Sequence, residues 1–175
     1  MIKTIAIVLA LLIAALLIFA ATKPDSFRIE RSVNVKAPPE KIFALINDFH
    51  QWEAWSPWEK IDPALKRTYS GAASGIGAVY EWSGNKDIGQ GHMEIVESVA
   101  STKVTLNLDF ITPFEAHNKV DFTLVGQGDT TTVTQAMYGP SPYVSKLMTI
   151  FFSMEKMVGE KYEEGLANLK SISEK

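Results

Sequence analysis

Between residues 66 and 138 no stretch carries the three- and four-residue apolar spacing of a helix, and this limits the possible folds more than any motif does. Short alternating runs follow one another instead. They are divided by the turn signals Ser74-Gly75-Ile76-Gly77, Ser83-Gly84-Asn85-Lys86-Asp87 and Gly126-Gln127-Gly128-Asp129. Their apolar faces read Ala78/Tyr80/Trp82, Met93/Ile95, Val104/Leu106/Leu108/Phe110, Val120/Phe122/Leu124 and Val133/Gln135/Met137. Parallel neighbours need a long crossover, usually a helix, so strands strung in this way form an antiparallel sheet.

Helical patterns flank the strands. Residues 27–36 alternate as a further half-buried strand, with Arg31 alone breaking the apolar face of Phe27, Ile29, Val33 and Val35. Ala37-Pro38-Pro39 ends that strand and opens a helix whose stripe is Ile42, Phe43, Leu45, Ile46 and Phe49. After Pro142, the apolar positions Val144, Leu147, Phe151, Met154, Val158, Tyr162, Gly165, Leu169 and Ile172 predict one continuous helix of about eight turns. Its first half is rich in methionine.

Residues 5–21 are an unbroken apolar run, about 25 Å long if helical, close to the shortest length that crosses a bilayer core. The run has no polar face, as expected of a membrane anchor; a cleaved signal peptide is the competing reading. Residues 1–26 are therefore read as anchor (or signal) and short linker, and 27–175 as one globular domain. Lys3 and the α-amino group favour a cytoplasmic N-terminus, whereas Lys23, Arg28, Arg31 and Lys36 argue the other way. The last three belong to a folding domain, which translocates largely regardless of charge, so the balance favours a single-pass membrane protein with the domain on the extracytoplasmic side.

Without Lys3, Lys23 and Asp25, the 17 basic and 20 acidic residues become 15 and 19, so the domain is mildly acidic. No basic patch for nucleic acid is expected from that balance. Cysteine is absent, which excludes disulfides and thiolate chemistry. No hydrolase elbow, phosphate loop or metalloprotease motif occurs, and neither metal nor cofactor is expected. His50, His92 and His117 are far apart, and alternation turns His92 and His117 away from the apolar face.

Local sequence then adds a resemblance. Ala37-Pro38-Pro39-Glu40-Lys41-Ile42-Phe43, Ile46-Asn47-Asp48 and Trp52-Glu53-Ala54-Trp55-Ser56-Pro57-Trp58 resemble the opening of the polyketide cyclase/dehydrase-like branch of the SRPBCC superfamily, whose relatives include START and birch-pollen-allergen domains. Residues 159–170, with Tyr162, Gly165 and Leu166-Ala167-Asn168-Leu169, resemble its closing helix. The resemblance implies an α+β helix-grip fold, a curved antiparallel sheet wrapped around a long C-terminal helix. It also implies a cavity that takes a lipid or other hydrophobic small molecule.

The polar residues on apolar faces, Arg31, Asn118 and Gln135, have two readings. Either Arg31 pairs with an acid such as Glu81, or reaches a sheet edge, while the amides satisfy backbone groups; or all three orient a ligand's polar head. Tyr80, Trp82, Phe110 and Met137 are candidate cavity wall, and Trp55 lies with Trp52 and Trp58 near the expected rim. Phe151, Met154 and Val158 complete the candidate set from the methionine-rich helix. Three functions remain open: a non-catalytic binding module, an enzyme of the cyclase, dehydratase or hydrolase kind, and a ligand-free interaction domain.

Overall fold

In the computed structural model, which describes residues 1–175, the N-terminal apolar run forms helix α1 (Ile2–Ala21). It is long and apolar enough to cross a membrane, and nearly all of it is exposed. Strand β1 (Ser26–Val35) follows after four residues. Pro39 opens α2 (Pro39–Ile46), where its missing N–H costs nothing and its fixed φ suits the first turn. Two 3₁₀ turns, Phe49–Ala54 and Pro57–Lys60, complete the irregular stretch. Asp48 caps the first of them by accepting from the His50 backbone N–H.

Six strands come next: β2 (Lys66–Gly71), β3 (Ala78–Ser83), β4 (Gln90–Val99), β5 (Lys103–Thr112), β6 (Ala116–Gln127) and β7 (Thr130–Pro140). All pair antiparallel in the order β1-β7-β6-β5-β4-β3-β2, as the missing crossovers require. Val96 bulges out of β4 between Ile95 and Glu97, and such a bulge bends a strand and adds to sheet curvature. The alternating apolar faces contribute to one core, which includes the fully buried Phe122 and is completed by Leu166 and Leu169 from the C-terminal segment.

The C-terminal segment departs from the expected single helix. It forms α3 (Tyr143–Phe151) and α4 (Met154–Ser173), separated by an extended Phe152. Ser153 caps α4, its hydroxyl accepting from the Lys156 backbone N–H at 3.2 Å. The apolar period passes through the break although its two halves meet different surroundings: α3 packs on α1 and leaves Val144 and Phe151 exposed, whereas α4 packs along the sheet.

Arg31 does not meet Glu81. β1 is one edge of the sheet, whereas Glu81 lies on β3, next to the other edge. Arg31 reaches α4 instead, donating to Glu163 at 2.6 Å and to Glu155 at 2.7 Å. Further along, Lys170 donates to the Asn34 carbonyl, and the Lys36 backbone N–H donates to Glu174. Side chains of α4 thus cover part of the β1 backbone that would otherwise be an open sheet edge.

Candidate ligand cavity

Between the concave face of the sheet and α4 lies a cavity of about 430 Å³. That volume is within the range that encloses small organic ligands. The two 3₁₀ turns supply one wall, through Trp52, Trp55 and Trp58. Both Trp52 and Trp55 are anchored: Trp52 Nε1 donates to the Ile46 carbonyl and Trp55 Nε1 to that of Leu45. They belong to the core, with Trp55 only 1% exposed, and not to the rim expected from sequence. The reason is the tight 3₁₀ winding, which turns successive indoles inward against Phe122.

Opposite them stand Tyr80 and Trp82 on β3, Met93 on β4, and Leu106, Leu108 and Phe110 on β5. Trp82 lies across Gly91, its partner on β4. A Cβ at Gly91 would come within 2.4 Å of both the indole and the Asp109 carbonyl. Gln135 and Met137 close the floor from β7, and Met154, Val158 and Tyr162 line the cavity from α4.

Polar residues, among them Lys86, Asp87 and Lys161, also line it, and two buried polar contacts stand out. Glu59 is buried, and its carboxylate accepts from the Tyr80 hydroxyl at 2.6 Å and from Arg67 Nε at 2.5 Å. Burial, reinforced by the Glu59 carboxylate, pushes the Tyr80 phenol far above its ordinary range, so the hydroxyl stays protonated and donates. At the second place, burial likewise raises the Tyr162 phenol, against a hydrogen bond from the Gln135 side chain that lowers it. Sequence reading missed Glu59 because it lies in an aperiodic turn, where no alternation assigns a face. Tyr162 was visible in the helical stripe, but periodicity does not separate pocket wall from core.

Of the candidate residues, Trp55, Tyr80, Trp82, Phe110, Gln135, Met137, Met154 and Val158 are brought together on this cavity. Three others lie elsewhere. Arg31 is held by Glu155 and Glu163 on the flank of α4. Asn118 is buried beside Gly139 and borders a separate groove with Asn107, Asp109 and His117, because the missing Gly139 side chain leaves room for its amide. Phe151 is 68% exposed, since the break at Phe152 turns the end of α3 away from the sheet.

The histidines contribute nothing to the interior. His50 Nδ1 lies 2.9 Å from Asp48, and its ring stacks on Tyr69. His92 and His117 flank Asp109 on the outer face of the sheet, at 3.0 Å and 2.6 Å. No group of three or more His, Asp or Glu residues is arranged to hold a metal ion.

With the cavity defined, comparison with known proteins identifies the family. The model of the polyketide cyclase/dehydrase and lipid transport family matches residues 26–174. The chain belongs to that family. Solved structures agree on the fold. The major latex-like protein 151 of Panax ginseng superimposes with a TM-score of 0.60 at 11% identity, covering 86% of this chain and 99% of its own. A protein from Thermobifida fusca gives 0.62 at 20% identity, with coverage of 83% and 92%. Protein MLL2253 from Mesorhizobium loti gives 0.61 at 15% identity, with coverage of 83% and 96%. No curated protein matches the sequence. These likenesses show the fold of the domain, the helix-grip fold shared by birch-pollen-allergen-like and START-like proteins; the apolar helix α1 precedes it.

Proposed function

We propose that the domain binds a hydrophobic small molecule or lipid in its internal cavity, without needing to transform it, and that α1 holds it at a membrane. The carrying observation is the cavity itself: about 430 Å³ of mostly apolar lining, with hydrogen-bonding groups at only a few places. Burial of an apolar ligand there is favourable at roughly 25 cal/mol per Å² of apolar surface removed from water. Gln135, Tyr162 and the Tyr80–Glu59 pair supply orientation for a polar end. A family description that includes lipid transport supports this reading.

One observation favours an enzyme as the second reading: a carboxylate, Glu59, forms part of the cavity wall. Both of its oxygens are already engaged, by Tyr80 and by Arg67, which suits a structural anchor better than a free base. The test is native mass spectrometry of the full chain purified from its own cells in mild detergent. A co-purifying apolar molecule should be lost in Met154→Trp, which fills the cavity, and retained in Glu59→Gln. An empty wild-type protein would sink the binding reading. Conversion of the bound molecule by wild type but not by Glu59→Gln would replace binding with catalysis.

A further inference from the structure

The strands have two ends, and the pairing register assigns every loop to one of them. Ser26 pairs with Pro140, Phe110 with Ala116, Gln90 with Thr112 and Ser83 with Gln90. The start of β1, the β3–β4 turn, the β5–β6 turn and the end of β7 therefore share one end of the sheet. The cavity reaches the surface at this same end, where Lys86, Phe114 and Met157 are all exposed among its lining residues. Since α1 leads directly into β1, the apolar helix and the cavity mouth emerge together.

Helix α3 ties the two. Tyr143 donates its hydroxyl to the Leu17 carbonyl at 2.8 Å, and Lys146 pairs with Asp25 at the foot of α1. Leu17 lies four residues inside α1, about 6 Å from its end along the axis. A tyrosine bonded at that depth lies in the interfacial layer if α1 spans the bilayer, the zone where aromatic side chains with a polar tip concentrate. Lys23, over the Phe19 ring, marks the same boundary with a cation. Several large apolar side chains are exposed at this end: Val144 is 65% exposed, Phe151 68%, Phe152 60%, Met157 61% and Phe114 61%, with the charged Glu115, Glu155 and Lys156 exposed beside them in the chain. Large exposed apolar side chains mark an interaction surface, and α3, which carries two of these, packs on an apolar helix of membrane-crossing length.

We propose that α3, Phe152, Met157 and the Phe114 tip are seated in the interfacial layer of the bilayer that holds α1, so that the cavity opens onto lipid. This rests on the reading of α1 as an anchor. A ligand then passes between bilayer and cavity without crossing bulk water, and the tether fixes the orientation of the mouth as well as its location.

The absence of cysteine makes a direct test simple. Single-cysteine variants of the full chain at Leu12, Phe114, Phe151 and Ile76 are labelled with a polarity-sensitive nitrobenzoxadiazole dye. They are reconstituted into vesicles of phosphatidylcholine with a minority of phosphatidylglycerol. Ile76, 62% exposed in the β2–β3 turn at the far end of the sheet, is the aqueous control. The expected result is loss of emission with deep-doxyl lipid at Leu12, loss with shallow-doxyl lipid at Phe114 and Phe151, and none at Ile76. If Leu12 is quenched but Phe114 and Phe151 behave as Ile76 does, the anchor stands and the docking surface is overturned. Blue-shifted emission at Phe114 and Phe151 that ignores doxyl lipid assigns the surface to a second copy, and also overturns it. An unquenched Leu12 removes the anchor and the proposal together.

Discussion

At the scale of single residues, the buried contact between Tyr80 and Glu59 holds the polar side of the cavity in place. The phenol is the sole donor to Glu59 Oε1, while Arg67 occupies Oε2. Tyr80→Phe keeps the ring packing and strips that donor from a buried carboxylate, which costs about 1–3 kcal/mol. Urea unfolding of the two proteins measures it; equal midpoints would show that the contact contributes nothing. On the outer face, the Asp109 hydrogen bond and charge raise the His117 imidazole above its ordinary value, with a smaller contribution from Glu115. A raised folded-state value means that protonation favours the fold. The stabilisation is complete below the ordinary histidine pKa of about 6.5 and is lost as pH rises through the folded value. An NMR titration should find His117 above its ordinary value, and Asp109→Asn should bring it back. Because the ring is exposed, that titration, and not the global stability, is the sensitive readout.

At the scale of elements, one missing side chain shapes the cavity wall. Gly91 in β4 lets the Trp82 indole lie flat across the strand, where its Nε1 donates to the Ile88 carbonyl at 3.2 Å. Gly91→Ala places a methyl against both that ring and the β5 backbone. Overpacking of this kind costs about 1–3 kcal/mol. The variant is expected to unfold at lower urea and to lose affinity for any ligand that contacts Trp82; wild-type stability and binding together would refute the assignment. The C-terminal break teaches a related lesson. Ser153 is a good N-cap with Glu155 in the first turn behind it, so a stop-and-start signal was present in the sequence. The continuous apolar period masked it, because periodicity records that a face is apolar and not whether or by what it is covered.

At the scale of the whole molecule, the domain and its N-terminal helix are separable in energy although joined in geometry. The main apolar core contains no residue of α1, which touches the domain chiefly through α3. Deleting residues 1–21 should therefore change the unfolding free energy of the remainder by no more than about 1 kcal/mol, the scale of changes away from a core. Thermal and urea melts of the shortened chain check this, and failure to fold would make α1 part of the domain.

The antiparallel sheet was legible from residues 66–138 because alternation has a period of two and the crossovers are missing. The apolar N-terminal helix was legible because no polar face interrupts it, and the family resemblance was legible in the tryptophan-rich segment. Alternation also placed Tyr80, Trp82, Phe110, Gln135 and Met137 on the right face of their strands. Other features depend on contacts between residues distant in the chain. Arg31 was drawn out to Glu155 and Glu163 on a helix more than a hundred residues away. Asn118 was diverted to the space beside Gly139, and Glu59 was brought into the cavity from an aperiodic turn. Most of all, the sheet register set α1 and the cavity mouth at the same end of the molecule. Local pattern assigns a residue to a face; only the assembled sheet and the helix packed on it decide what that face meets.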